Sequence, residues 1–464
     1  MTGTIPPGTT PPASGRLSRR RALAAAGSAL LLPLLPARVR GQDTQPAPGS
    51  WPAGLTPVGA EQGANSRETI PAWTGGLSTL AANYVEGQPH PDPLMEDGRW
   101  FTVTAAEVDR YAVRLSAGSI ALLKAYPDRF SLPMFPTRRT AAFPQAVYDA
   151  TIANDRTARN ESNGLAVRGA RVGIPFPRPK TGDEAMWNHV LRWRGESMRA
   201  TDNVFVVEAN GQRTAARYRR DMLSPYAKGE TGAIALMTRR TVLAPPDKAG
   251  EALVLNRSID PIAEPPQFWY RAPGKPRVIP APDFSYDRPD PATGGVRTAD
   301  MMDMFSGTMD RFNFTLAGKR EMYVPYNAYR LDTPVLGPDD FLWPGHLAPN
   351  FLRYEMHRVW VVEAVRRPGS RHAFARRVYY LDEDSWQILM AEHYDAKGAL
   401  VRYAEAHCIQ FTQVPCFAPT LEIAHDLTTG RYVVSGVDNQ EKAPSFNKTI
   451  KKETFSRNGL QKEF

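Results

Sequence analysis

The spacing of apolar residues changes part-way along the chain. In the first half they recur at three- and four-residue intervals. Val108, Tyr111, Ala112, Leu115 and Leu122 fall along one side of a helix predicted over 105–126, with Thr104 as N-cap and Glu107 completing a capping box. Pro144 opens a second helix over 145–159, and Thr181 caps a third over 183–194 that carries Met186, Trp187, Val190 and Leu191. Beyond about residue 253 the period becomes two. Strands are predicted at 251–258, 267–271 and 320–326, then in a run at 353–365, 372–381, 386–394, 399–411, 420–425 and 431–437. The links between them carry turn chemistry, such as Arg367-Pro368-Gly369 and Asp395-Ala396-Lys397-Gly398. Most are too short for a crossover, so neighbours are antiparallel and the run is a meander. A four-residue loop at 395–398 would set Tyr394 against Ala399 and His393 against Leu400.

Several strands are apolar on both faces. In 354–364 one face shows Tyr354, Met356, Trp360, Val362 and Ala364, and the other shows Val359 and Val361 among Glu355, His357 and Glu363. Such a sheet needs cover on both sides, from helices or from a ligand in the hollow of a curved sheet. With no internal repeat and no second core, residues 59–438 read as a single α+β domain, mainly β.

Composition excludes whole classes. The 464 residues are 42% hydrophobic and 23% charged, enough for a core. Proline, at 42 residues, is well above the average of roughly 5% and favours strands and turns over a helical bundle. No apolar run approaches the roughly 20 residues of a membrane span. The net charge of +9 sits at the ends. Six arginines (Arg16, Arg19, Arg20, Arg21, Arg38, Arg40) occupy the first forty residues without an acid, and the basic tail over 439–464 has six Lys/Arg against three Glu. The body between is near neutral and offers no stripe for nucleic acid.

The amino-terminal arginines belong to an address. Ser18-Arg19-Arg20-Arg21 precedes a modest apolar stretch over 22–35, and Val39-Arg40-Gly41 closes it with small residues. This is an export signal over 1–41, of the twin-arginine (Tat) type or alternatively the general secretory type, cleaved near Gly41 to release a periplasmic protein. Residues 42–58 follow as an extended leader. In an oxidising compartment Cys408 and Cys416, the only cysteines, are expected to close a short disulfide ring, the alternative being two separate thiols.

Signatures of catalytic chemistry are scarce. No nucleophile elbow, phosphate loop, dinucleotide fingerprint or His-Glu-x-x-His occurs. Five histidines (His357, His372, His393, His407, His425) fall in the terminal meander, but no set of metal ligands is drawn from them, and neither catalytic residues nor a cofactor is assigned. Asp382, Glu383 and Asp384 read as a solvated hairpin turn. Large side chains of the second half divide between core and cavity wall; the candidates for lining a cavity are Trp269, Tyr323, Tyr326, Met356, Trp360, Tyr379 and Trp386.

Several ordered stretches are familiar together: Thr69-Ile-Pro-Ala-Trp-Thr-Gly-Gly-Leu77, Gly173-Ile-Pro-Phe-Pro177, Gly318-Lys-Arg-Glu-Met-Tyr-Val-Pro-Tyr-Asn327, Tyr354-Glu-Met-His-Arg-Val-Trp-Val-Val-Glu363 and Arg377-Val-Tyr-Tyr-Leu-Asp-Glu-Asp-Ser-Trp-Gln-Ile388. Over roughly 55–439 the chain resembles a family of exported bacterial proteins of unknown function, often labelled outer-membrane lipoprotein-sorting proteins. The resemblance implies a LolA/LolB-like fold, a strongly curved, incompletely closed antiparallel sheet (a half-barrel) with helices covering its concave side. It also implies a hydrophobic guest, and a neighbouring outer-membrane protein or export pump as partner. The leading expectation is a periplasmic carrier or chaperone for lipids, acyl chains or similar ligands. The alternatives are an envelope lipid- or glycan-acting enzyme with a dispersed site, and a structural partner of an outer-membrane or efflux complex.

Overall fold

Short links leave successive strands one way to pair, and the computed structural model, which describes residues 51–462, follows that rule along most of its length. In chain order the strands are β1 (Phe101–Val103), β2 (Leu132–Met134), β3 (Arg159–Glu161), β4 (Ala166–Arg168), β5 (Ser197–Val207), β6 (Arg213–Leu223), β7 (Ile234–Ala244), β8 (Ala252–Ser258), β9 (Gln267–Arg271) and β10 (Val278–Pro280). Then come β11 (Phe312–Pro325), β12 (Leu342–Trp343), β13 (His346–Leu347), β14 (Tyr354–Arg366), β15 (Arg376–Asp382), β16 (Ile388–Tyr394), β17 (Leu400–Phe411), β18 (Cys416–Asp426), β19 (Arg431–Val437) and β20 (Ser445–Phe446).

Sixteen of them make one open sheet in the order β1-β2-β14-β15-β16-β17-β18-β19-β5-β6-β7-β8-β9-β10, with β11 along β14 and β20 along β5. Every ladder is antiparallel except the single β2–β14 bridge. Two meanders, β14–β19 and β5–β10, are joined side by side through β19 and β5, where Val434 faces Phe205 and Ser435 faces Val204. The protein is mainly β, and its helices lie against this sheet. Helix Gly182–Leu191 packs on β11 and β14, and helix Ala117–Ala125 packs on β16 and β17. Contact is close enough that a Cβ on Gly182 would lie 2.5 Å from the Phe314 carbonyl carbon, so only glycine fits there. No helix among the described residues is long and apolar enough to cross a membrane.

The terminal meander lies within a few residues of its expected bounds, except that β18 begins earlier, at Cys416. Other readings need correction. The helix expected over 105–126 is broken into short turns, and only Ala117–Ala125 is regular, capped by Ser116 accepting from the Ser119 amide. A bulge shifts the β16–β17 register, so Tyr394 faces Leu400 and His393 faces Arg402. Strands β5, β6 and β7 were not expected at all. The basic tail is seated: Ile450, Phe455 and Leu460 are buried in a cluster with Leu223, Val254 and Val278. The export signal over 1–41 and residues 42–50 of the leader lie outside the described residues.

The disulfide is also corrected, since Cys408 and Cys416 are separate buried thiols. Cys416 faces Phe411 across the β17–β18 hairpin, whereas Cys408 faces Pro419. A three-residue offset along a strand is about 10 Å, beyond the roughly 7 Å between Cα atoms that a disulfide spans. Burial raises both thiol pKa values, which suppresses the reactive thiolate.

The segment before β1 is held onto the sheet by Trp386, a fully buried side chain stacked on Trp360 with centroids 6.0 Å apart. Its indole N–H donates to the Val58 carbonyl at 3.0 Å. Replacing Trp386 with Ala removes the stack, the hydrogen bond and the packed volume together. The expected cost is about 3–5 kcal/mol, measurable as a drop in urea midpoint at unchanged slope; a loss below about 1 kcal/mol would show that the segment is held by other contacts.

Candidate functional site

Alternation along a strand decides which side chains share a face. Antiparallel pairing carries that choice to the next strand. On one face of the β5–β8 meander, Met198 faces Met222, Met222 faces Thr238, and Thr238 faces Leu255. The neighbouring rows continue the pattern with Arg220 opposite Arg240, Arg240 opposite Leu253, and Arg257 opposite Leu236. The same face runs across β19 and β18 through Val204, Ser435 and Glu422. Apolar and charged rows therefore alternate on a single wall.

Over this wall lies a cavity of about 240 Å³. Its far side is built by Arg192 and Arg194, just after helix Gly182–Leu191, and by Met302 and Asp303, while Phe446 of the seated tail continues the wall beside Met198. Arginines outnumber carboxylates in the lining, seven to four. A second cavity of about 310 Å³ is lined by Val190, Ile262, Phe268 and Tyr286 among others, and Arg257 borders both.

Charge in the first cavity centres on Asp303. Arg192 and Arg194 both pair with its carboxylate, and Arg257 lies 3.9 Å away. Burial opposes ionisation of Asp303, but the two guanidiniums outweigh it and hold the carboxyl well below the usual range. The backbone at Asp303 and Met304 is left-handed, with φ of 53° and 59°, a conformation few non-glycine residues adopt. His189 fixes this corner. Its Nδ1 accepts from the Ile388 amide and its Nε2 donates to the Asp303 carbonyl at 2.8 Å, so the fully buried ring is neutral. Glu422 is pushed up to about 7 by burial and by the charge of Asp303, although Arg297 lies 3.5 Å away.

None of the seven residues expected to line a cavity borders either of these two. Tyr323 and Met356 are cross-strand partners in the β11–β14 ladder, and Trp360 stacks on Trp386. Tyr326 is sandwiched between His357 at 3.7 Å and Phe417 at 4.4 Å. Tyr379 accepts from Arg377 at 3.0 Å, and Trp269 packs against the Leu223–Leu460 cluster. The cavity wall was missed because inward arginines made β6 and β7 look solvated. Leu236, Thr238 and Arg240 in alternation were the available signal.

The acidic turn after β15 is the opposite of solvated: Asp382, Glu383 and Asp384 are all buried. Arg139 grips both oxygens of Asp384 at 2.8 and 2.6 Å and donates to the carbonyls of Glu61, Gln62 and Pro71. Lys319 bridges Glu61 and Glu383, and Arg358 joins them. Three cations thus answer three carboxylates (Glu61, Glu383 and Asp384), and Asp382 is the surplus acid. Burial and the charge of Asp384 push it up to about 7. Its Oδ2 accepts from Tyr326 at 3.1 Å and from Ser385, while Oδ1 has no partner among the described residues. His357, Asp382 and Asp384 bring ligand atoms within 4.8 Å of one another, the one grouping of this kind among the described residues. Arg139 already satisfies Asp384, and the His357 Nε2 is hydrogen-bonded to Glu355 at 3.1 Å, so the group works as a charge-balanced buckle between the leading segment and the sheet.

Because the folded pKa of Asp382 is raised above its ordinary 3.8, its stabilising contribution is present at low pH and is lost as pH rises through about 7. Asp382→Asn, a mimic of the protonated form, is expected to melt several degrees above the parent near pH 8, with the difference shrinking below about pH 7 and closing towards about pH 4. An equal loss at both pH values, read by thermal melts, would show that the carboxylate is needed ionised.

Comparison with known proteins places the chain. Uncharacterized protein PA3922 of Pseudomonas aeruginosa is 37% identical over 417 residues, covering 88% of this chain and 91% of its own. Among solved structures, a candidate outer-membrane lipoprotein-sorting domain from Vibrio parahaemolyticus aligns at TM-score 0.42 and 16% identity, over 60% of this chain and 97% of its own. A DUF1329 family protein from Desulfovibrio piger aligns at TM-score 0.41 and 11% identity, over 57% of this chain and 92% of its own. The match to the family model spans residues 102–461, and the chain belongs to the family described as "Protein of unknown function (DUF1329)".

Proposed function

We propose that this protein is an exported carrier that holds a hydrophobic molecule between its sheet and the elements covering it, for traffic within the cell envelope. The observation that carries this reading is the first cavity. Its space of about 240 Å³ is preformed between the sheet and the elements over it, with Met198, Met222, Leu236, Leu253 and Leu255 in its lining, the concave and largely apolar setting in which small hydrophobic ligands are held. Transfer of an acyl chain into such a space gains roughly 0.8 kcal/mol for each buried CH₂, enough for retention without any covalent step. Export to the periplasm is supported by the amino-terminal grammar of Arg19-Arg20-Arg21, a short apolar centre and a small-residue exit.

Native mass spectrometry of protein taken from periplasmic extract should show co-purifying lipid or another apolar adduct. Ala418 lines the cavity, and Ala418→Trp should fill part of it. That variant should lose about tenfold or more in uptake of a fluorescent apolar probe while keeping its melting temperature within a few degrees. Clean apo protein together with no probe uptake by the parent would overturn the reading.

A further inference from the structure

The cavity is more cationic than a purely greasy guest requires. This rests on the carrier reading of the same space, and it names the head of the guest. We propose that the guest is an acidic amphiphile whose carboxylate or phosphate pairs with Arg257, with Arg192, Arg194 and Arg297 around it.

Arg257 is the residue that the protein itself leaves unmatched. It is 9% exposed, yet its Nε and Nη1 have no hydrogen-bond partner among the described residues. The nearest carboxylate oxygen, on Asp303, is 3.9 Å away and already serves Arg192 and Arg194. Arg297 is divided between Asp290 at 3.4 Å and Glu422 at 3.5 Å, and its own Nε is likewise unpartnered among the described residues. Even with Asp290, which pairs with Arg240 and Arg297, added to the count, guanidiniums exceed carboxylates. The crowding is visible in Arg194, which burial and the charge of Arg192 push down to about 10, and in Arg257, which burial also lowers.

A buried guanidinium without acceptors is costly. One planar carboxylate or one phosphate face satisfies two of its donors at once and supplies the missing negative charge. Position completes the argument. Arg257 borders both cavities, with Leu253 and Leu255 leading along β8 into the first and Phe268 and Ile262 lining the second. A head group held there has apolar room on either side for its tail.

The test uses the full mature chain, stripped of lipid and loaded with the neutral probe N-phenyl-1-naphthylamine. Hexadecanoate is compared with hexadecanol, and a lysophosphatidate with a monoacylglycerol, as displacing ligands. The parent should release the probe at about tenfold or more lower concentration of the acid than of its neutral partner. Arg257→Gln should bring each pair within about twofold, with every displacement read relative to that variant's own affinity for the probe, and Arg257→Lys should recover part of the preference. Preference in the first pair alone identifies a carboxylate head, and in the second alone a phosphate head; either supports the proposal. Equal displacement by acid and neutral partners in the parent overturns it and leaves the carrier reading standing. Preference that survives Arg257→Gln overturns the assignment to Arg257. Absence of probe uptake by the parent overturns the carrier reading, and this inference with it.

Discussion

The hydrogen bonds between β19 and β5 hold this molecule together in the sense that matters for its cavity. They join two meanders that are each locally paired. Val204 and Ser435, neighbours across that seam, are far apart in sequence. Nothing nearer in the chain can substitute, so the wall carrying Met198, Arg220 and Glu422 exists only when both meanders are in place. Such long-range pairing is slow to form, because closing the loop costs entropy before any contact returns it. The cavity therefore takes shape only once the chain is complete.

The ionic buckle around Arg139 does comparable work elsewhere on the sheet. It ties residues 61–71 to the turn after β15 through one bidentate pair and three carbonyls. A buried network of this sort adds little net stability when complete and costs much when one member is removed. Its value is positional, since it sets where the leading segment lies. The stack of Trp360 on Trp386 packs beside it, so apolar and ionic contacts hold the same segment.

What could be read from the sequence follows the range of the interactions involved. The β14–β19 meander was legible because turn residues such as Asp395 and Gly398 and two-residue alternation are both local signals. Asp382, Glu383 and Asp384 were misread because the cations that bury them, Arg139 and Lys319, arrive from distant segments. β6 was invisible for a related reason: Arg217, Arg219 and Arg220 look like a solvated face until Asp202, Asp221 and Glu441 are seen beside them. The disulfide was expected from proximity in sequence, but strand register, which proximity does not report, keeps the sulfurs apart. Of the residues expected to line a cavity, Tyr323, Tyr326, Met356, Tyr379 and Trp386 are buried in the core and Trp269 and Trp360 pack on its margin, because bulky side chains are what a well-packed interior uses first.

The sheet is open, and the two ends of its main strand path are blunt. β1 and β10 are three residues each, and β10 ends in Pro280, which has no N–H to offer. Helix Arg457–Lys462 of the seated tail packs against β10. Short, proline-bearing or covered rims give a second copy almost nothing to extend. Strand addition is thereby turned away from both ends of the path, and β11, fourteen residues paired among the described strands with β14 alone, is the long margin that remains.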